Sequence, residues 1–415
     1  MSIRKTGQWF YIPTLYCAEA IPYGIVTSVS VVMYKTMGMS NEFIGFTSLL
    51  YFPWVIKMLW SPLVDLWGTQ RRWILCMQWV LVVLFGLLAL SFFSDNFLWL
   101  SLVVLCALAL CGATNDVATD GYYLVALDTK EQAFFIGVRS TFYRLGLIFS
   151  SGGLVMLAGY IEENPGTIAS GWTCVMGICS AVFALFACFH HWYLPRAVAH
   201  CSGCQQRGGQ GFYDAFRTYF QQPRIGIVLA FILVYRLGEA LLLKMTAPFL
   251  LDRPEAGGLG LATDTVGFVY GTVGVMGLCC GGILGGWAIA RWGLARCLWP
   301  MALMLNVPNL FYVYLAAVRP GLLTVVCLVT AEQIGYGFGF SAFAVFLMNI
   351  AREPYQTSHF ALSTGFMALG MMVPGMLSGF IQHATGYFFF FVIVVIAGLP
   401  GLVLLPFLPV ANAPR

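Results

Sequence analysis

The chain has 415 residues, of which 60% are hydrophobic and 9% charged, with a formal net charge of +4. A soluble fold has too little interior to hide so much apolar material, and so small a charge gives no basis for a nucleic-acid partner. The apolar residues fall in runs of about 20, the length a helix needs to cross ~30 Å of hydrocarbon. These runs are continuous instead of alternating, which excludes an outer-membrane barrel.

In chain order the runs predict twelve helical spans, at 9–33, 42–66, 73–93, 97–124, 134–160, 171–193, 225–251, 265–290, 297–317, 321–350, 359–381 and 387–409. The expected fold class is therefore an all-α integral membrane protein of 12 transmembrane helices in two six-helix bundles. The first span is interrupted by Glu19 and Pro22 and lacks a small-residue cleavage site, so it reads as a retained helix. Thirteen Lys and Arg residues fall in the connections on the side of the termini, among them Arg4, Lys5, Arg71, Arg72, Arg217, Arg224, Arg291 and Arg296. Only Lys35, Arg253 and Arg319 fall on the other side, which predicts that both termini are cytoplasmic.

The second span carries Lys57 and ends in DLWGTQRR, with Asp65, Gly68, Arg71 and Arg72. The fourth ends in CGATNDVATDGYY, which places Asn115, Asp116 and Asp120 in apolar surroundings. A carboxylate in hydrocarbon costs ~2.5–3.5 kcal/mol even on lenient scales, so these acids are expected to face a wet cavity, pair with cations or hold protons. Asp116 and Asp120 are four apart and share a helix face. Five intramembrane acids (Glu19, Asp116, Asp120, Glu239 and Glu332) match five bases (Lys57, Arg139, Arg144, Arg236 and Lys244). Lys57 and Arg144 are expected to pair with Asp116 and Asp120. Asp120 near the end of its helix and Arg139 near the start of the next offer an interfacial ion pair as the competing reading. Trp9, Trp54, Trp60, Tyr235 and Tyr336 could stack on sugar rings, although belt or packing roles are commoner for such aromatics.

The sixth span leads into the one long polar connection, 194–224, read as a cytoplasmic linker with a short amphipathic helix at GFYDAFRTYF. It divides the chain into domains 1–193 and 225–415. Its Cys201 and Cys204, with His190, His191 and His200 nearby, are a weak zinc signal, and an ordinary loop with no metal is expected. The other cysteines are scattered through the spans as packing residues.

The second half repeats landmarks of the first. Glu19 returns as Glu239 and Gly159 as Gly379, each 220 residues on, and Gly68 with Arg71 returns as Gly293 with Arg296. Gly335, Gly337 and Gly339 lie inside a span with no strand before them, which favours close helix approach over a phosphate loop.

Twelve spans in two repeats resemble the major-facilitator transporters, and DLWGTQRR resembles the signature loop between their second and third helices. Asp65, Gly68, Arg71 and Arg72, with Gly293 and Arg296, are then expected to take part in gating. Four stretches narrow the resemblance: PWVIKMLWSPLVDLWG at 53–68, NDVATDGYY at 115–123, STFYRLGLIFSSGG at 140–153 and AEQIGYGFGFSAFAVFLMN at 331–349 are similar to motifs of the AmpG-type muropeptide permeases. The resemblance implies proton-coupled import of N-acetylglucosamine–anhydro-N-acetylmuramic acid and its peptide derivatives across the bacterial inner membrane. The chain departs from the family at Asn115 and Gly121, and DGYYLVAL looks like the acetyl-CoA transporters, so other cargo on the same scaffold (an acyl-CoA, an iron chelate or a drug-like efflux substrate) stays open.

On this reading Asp116, Asp120 and Glu19 couple protons, while Lys57, Asn115, Arg144, Arg236, Glu239, Lys244 and Glu332 meet the substrate. The expected partners are a small-molecule substrate, protons and membrane lipid, with a monomer as the working unit and no cofactor. An embedded enzyme is disfavoured, because His359 and His383 are predicted at opposite faces and no nucleophile and base stand at a catalytic spacing.

Overall fold

The computed structural model describes residues 4–66, 68–127, 129–163, 166–195, 209–351 and 356–409, and every regular element among them is a helix. The membrane helices are α1 (Gly7–Thr36), α2 (residues 41–66), α3 (Gln70–Ser91), α4 (Phe97–Ala126), α5 (residues 129–163) and α6 (Ile168–Tyr193). They continue as α7 (Ile225–Leu251), α8 (Thr263–Trp292), α9 (Leu294–Val318), α10 (Leu322–Ile350), α11 (residues 356–385) and α12 (residues 387–407). Among the described residues, ten helical stretches are long and apolar enough to cross a membrane. The last of these, His359–Phe407, has 49 residues and would measure ~73 Å if straight, more than twice the hydrocarbon thickness. Gly386, at φ 72°, breaks it into α11 and α12, and α2 completes the twelve.

Polar residues set the helix starts. The Ser40 and Thr69 hydroxyls accept from the backbone N–H groups of Phe43 and Arg72, each at 3.3 Å, and Thr167 forms a reciprocal capping box with Ser170. Gly68 and Gly293, the repeated loop glycines, have φ of 98° and 78°, a backbone conformation that side-chain-bearing residues rarely adopt. Three helices carry a wide π-helical turn, at Ile25–Val29 in α1, Ile148–Leu154 in α5 and Gly267–Gly274 in α8. These turns gather in one place, with Gly24 against Ser150 and Gly271 against the Ser151 carbonyl. Such turns are commonest at functional sites.

The chain divides into two compact units, described here for the residues above. The first comprises Met1–Met37, Ile56–Gly203 and Ala262–Gly271, and the second Gly38–Val55, Cys204–Leu261 and Thr272–Arg415. The first half of α2 thus belongs with the second unit, and the first turns of α8 with the first. In the first unit α1 packs on α4 and α5, and α3 lies between α4 and α6. His190, fully buried, is held by Gln78 and Thr14 through both ring nitrogens, each at 2.9 Å, so it has no lone pair left for a metal. The Cys201 and Cys204 pair and His200 lie outside the described residues.

In the second unit α8 and α9 pack on α10, and α7 on α11. The glycines of α10 allow close helix approach: a Cβ on Gly337 would lie 2.2 Å from the Leu278 carbonyl oxygen of α8, and one on Gly335 2.3 Å from that of Met304 of α9. Residues 41–46 pack on α11, where Gly45 meets the Met376 carbonyl and Asn41 donates to Gln382 at 2.7 Å. The amphipathic helix expected in the central connection spans Gly209–Phe220 and rests on α11, with the Tyr219 and Ser363 hydroxyls 2.9 Å apart. Large apolar side chains such as Phe93, Trp99, Leu185, Trp192 and Leu323 remain exposed, as a lipid-facing surface requires.

Candidate functional site

Helical spacing brings the first unit's charges together. Tyr16 and Glu19, three apart on α1, share a face, as do Asp116 and Asp120 on α4. The Lys57 ammonium of α2 donates to Asp116 Oδ2, with the two side chains 33% and 11% exposed. Arg139 Nη1 of α5 lies 3.3 Å from Asp120 Oδ1 and donates to the Tyr16 hydroxyl at 3.0 Å. That hydroxyl donates in turn to Asp120 Oδ1 at 2.9 Å. The Arg139 guanidinium also lies over the rings of Tyr16 and Tyr123, 4.7 and 5.1 Å from their centroids, a cation–π arrangement that fixes its plane.

Glu19 of α1 belongs to the same cluster, near Asp116, Asp120 and Lys57, and its Oε2 is buried without a partner. Asn115, fully buried beside Asp116 in sequence, has no partner for either amide atom.

The expected partner of Asp120 therefore needs correcting, because the structure pairs it with Arg139 and not with Arg144. Asp120 lies seven residues before Leu127 at the turn and Arg139 ten after Thr129, so the two reach similar depths. Arg144, five residues further along α5, is carried ~7.5 Å deeper and is half-buried there. Sequence reasoning gave Tyr16 no role and offered Arg139 with Asp120 only as the competing interfacial ion pair, which is the pair found here. The signal for Tyr16 was its spacing to Glu19.

The second unit holds a separate set. Arg236 Nη2 of α7 donates to the Tyr336 hydroxyl of α10, and its guanidinium lies 4.9 Å from the Phe340 centroid. Glu239 of α7 and Glu332 of α10 are both buried, each about one helical turn from the Arg236–Tyr336 bond that joins these two helices. Lys244 donates to the Thr47 hydroxyl at 3.2 Å.

Of the residues expected to gate, Arg71 caps the end of α6, donating to the carbonyl oxygens of Leu194 at 2.9 Å and His191 at 2.6 Å. Arg72 and Arg296 are exposed, Gly68 and Gly293 form the two turns, and the Asp65 side chain lies outside the described residues.

Twelve membrane helices and charged residues buried in each unit describe a carrier of small molecules, and comparison with known proteins agrees. Residues 14–373 match the Major Facilitator Superfamily. The chain belongs to that superfamily. It is 25% identical over 393 residues to the anhydromuropeptide permease of Escherichia coli K12, covering 94% of this chain and 77% of that protein. It is also 22% identical over 378 residues to the putative transporter AmpG 3 of Rickettsia prowazekii, covering 85% of this chain and 84% of that one. Among solved structures, a D-xylose–proton symporter shares the fold with a TM-score of 0.72 at 10% identity, over 95% of each chain. The resemblance found in short motifs thus extends along most of the chain. As a superfamily member this protein is a multi-pass membrane transporter of a small-molecule substrate.

Proposed function

We propose that this transporter imports anionic, sugar-containing wall fragments, N-acetylglucosamine–anhydro-N-acetylmuramic acid or its peptides, by proton symport across a bacterial inner membrane. Its termini lie in the cytoplasm, as the distribution of Lys and Arg predicts. The likeness to the anhydromuropeptide permease of Escherichia coli supports the cargo class. The observation that supports the coupling is the cluster of Glu19, Asp116 and Lys57.

Three acids against two bases leave the first unit's cluster one negative charge in excess when all are ionised, and a proton on Glu19, whose buried Oε2 has no partner, would absorb that excess. A cargo carboxylate arriving at Lys57, Asn115 or Arg139 competes with the acids for their bases. Arg139 suits planar recognition and Lys57 acts as a point charge. Arg144 adds a further base to the first unit, and Arg236 and Lys244 are the bases of the second. Loss of a base to the cargo favours protonation of the acid it leaves, so cargo and proton load together. The sequence halves 1–193 and 225–415 then alternate access, with the loops at Asp65, Gly68, Arg71 and Arg72 and at Gly293 and Arg296 as gates.

The test is uptake of the radiolabelled disaccharide into proteoliposomes, with and without an inward proton gradient. Accumulation above equilibrium is expected only with the gradient. Asp116→Asn is expected to lower it sharply while sparing exchange of cargo across the membrane. Undiminished accumulation by Asp116→Asn, Asp120→Asn and Glu19→Gln together would sink the coupling assignment. Absence of uptake by the folded wild type refutes the cargo.

A further inference from the structure

The second unit carries two acids that this mechanism does not use. Glu239 and Glu332 were expected among the substrate-binding groups, yet each is only 1% exposed, and an acid facing an acid is poorly suited to hold an anion. Glu332 Oε2 accepts from the Tyr312 hydroxyl at 3.3 Å and the Gln333 amide at 3.0 Å. Its Oε1, Glu239 Oε2 and the Nε of Arg236, itself 8% exposed, are all buried without a partner.

Among the described residues, the charged and titratable groups facing the pair are Arg236 of α7 and Tyr312 of α9, with Tyr336 of α10 reached through Arg236. Fully ionised, the pair would set two negative charges against one guanidinium out of reach of water, which is unfavourable. One proton removes the excess, and a protonated carboxyl can donate to an open oxygen nearby.

The first unit has the same composition, with Glu19 on α1 and Asp116 on α4 sharing Lys57. Glu239 follows Glu19 by 220 residues and Glu332 follows Asp116 by 216, so the two acid pairs stand on equivalent helices of the duplicated six-helix repeat. We propose that Glu239 and Glu332 form a second proton-binding site, so that each cargo molecule crosses with two protons, one held in each unit. The proposal rests on the symport reading above. The only bond made and broken is a carboxyl O–H, with the proton taken from water on one side and returned to water on the other.

The experiment measures limiting accumulation of the labelled disaccharide by the full chain in proteoliposomes over a series of pH gradients, with the membrane potential clamped at zero. Each coupled proton contributes about tenfold accumulation per pH unit. A slope of two in the wild type, falling to one in Glu332→Gln and in Glu239→Gln, is expected. A wild-type slope of one, or an unchanged slope in both variants, overturns the second site and leaves symport standing. Absence of gradient-driven uptake by the wild type refutes symport instead.

Infrared difference spectroscopy then decides on the acid pair without transport, using the purified chain with Glu19→Gln, Asp116→Asn and Asp120→Asn. A protonated-carboxyl band that titrates with pH, and disappears on adding Glu332→Gln, is expected. A missing band, or one that never titrates, overturns the proposal. Should either glutamine variant fail to fold, the wild-type slope and the band in the triple variant still decide.

Discussion

Gly281 and Gly286 lie five residues apart on α8 and should respond oppositely to the same substitution. A Cβ at Gly281 would stand 2.1 Å from the Ile334 carbonyl oxygen and 2.9 Å from the Phe338 backbone nitrogen of α10, whereas one at Gly286 would meet nothing within 4 Å. Backbone atoms cannot swing away, so Gly281→Ala forces α8 and α10 apart by about 1.3 Å at that point, enough to forfeit much of the dispersion along the seam. Overpacking of this kind costs ~1–3 kcal/mol, partly offset by the ~1 kcal/mol that alanine gains over glycine in a helix. Gly286→Ala keeps the gain without the cost, so the variants should differ by roughly 1–3 kcal/mol in favour of Gly286→Ala. Thermal unfolding of purified protein in one detergent, with both variants run beside the wild type, measures the difference. Equal midpoints, or a more stable Gly281→Ala, would refute the backbone contact between these helices.

Three further outcomes follow from contacts in the first unit. A double-mutant cycle with Lys57→Met and Asp116→Asn should give a coupling energy of about 1–3 kcal/mol, between exposed and buried pairs, because Lys57 is one-third exposed. A coupling near zero in thermal unfolding would mean that the pair is not formed. Arg71→Gln should lower stability by about 1–2 kcal/mol through the loss of two charge-assisted bonds to the end of α6, whereas Arg72→Gln, altering an exposed side chain, should be nearly silent. Similar midpoints for the two would refute the capping role. His190→Leu should cost ~1–3 kcal/mol by stranding Gln78 and Thr14, and a stability equal to wild type would show that water replaces the ring.

Much of the architecture was legible because hydrocarbon imposes a simple length and composition rule. The twelve spans and the repeat of Glu19 as Glu239 could be read directly from runs and offsets. Lys57 and Asp116 were legible as partners because lone opposite charges in apolar helices have few alternatives. Arg139 and Arg144 could not be told apart in the same way, since the choice depends on how far each helix advances past the turn at 127–129. The π-helical turns left no trace either, because one extra residue per turn does not disturb an already continuous apolar run. Nor could composition reveal that residues 38–55 pack with the second unit, a matter of surface fit between Gly45, Ser48 and α11.

That last feature bears on how the protein is made. Residues 41–46 leave the ribosome more than three hundred residues before the stretch of α11, around Gly375 and Gly379, that they finally touch. Until α7 and then α11 emerge, the first half of α2 is therefore inserted without the helices it finally packs on. The order of emergence makes α11 the step that completes α2, so truncations before residue 380 should leave an N-terminal portion that inserts fully yet stays protease-sensitive around residues 38–55. Quality control acting on such chains would read an early helix to judge whether a late one has arrived.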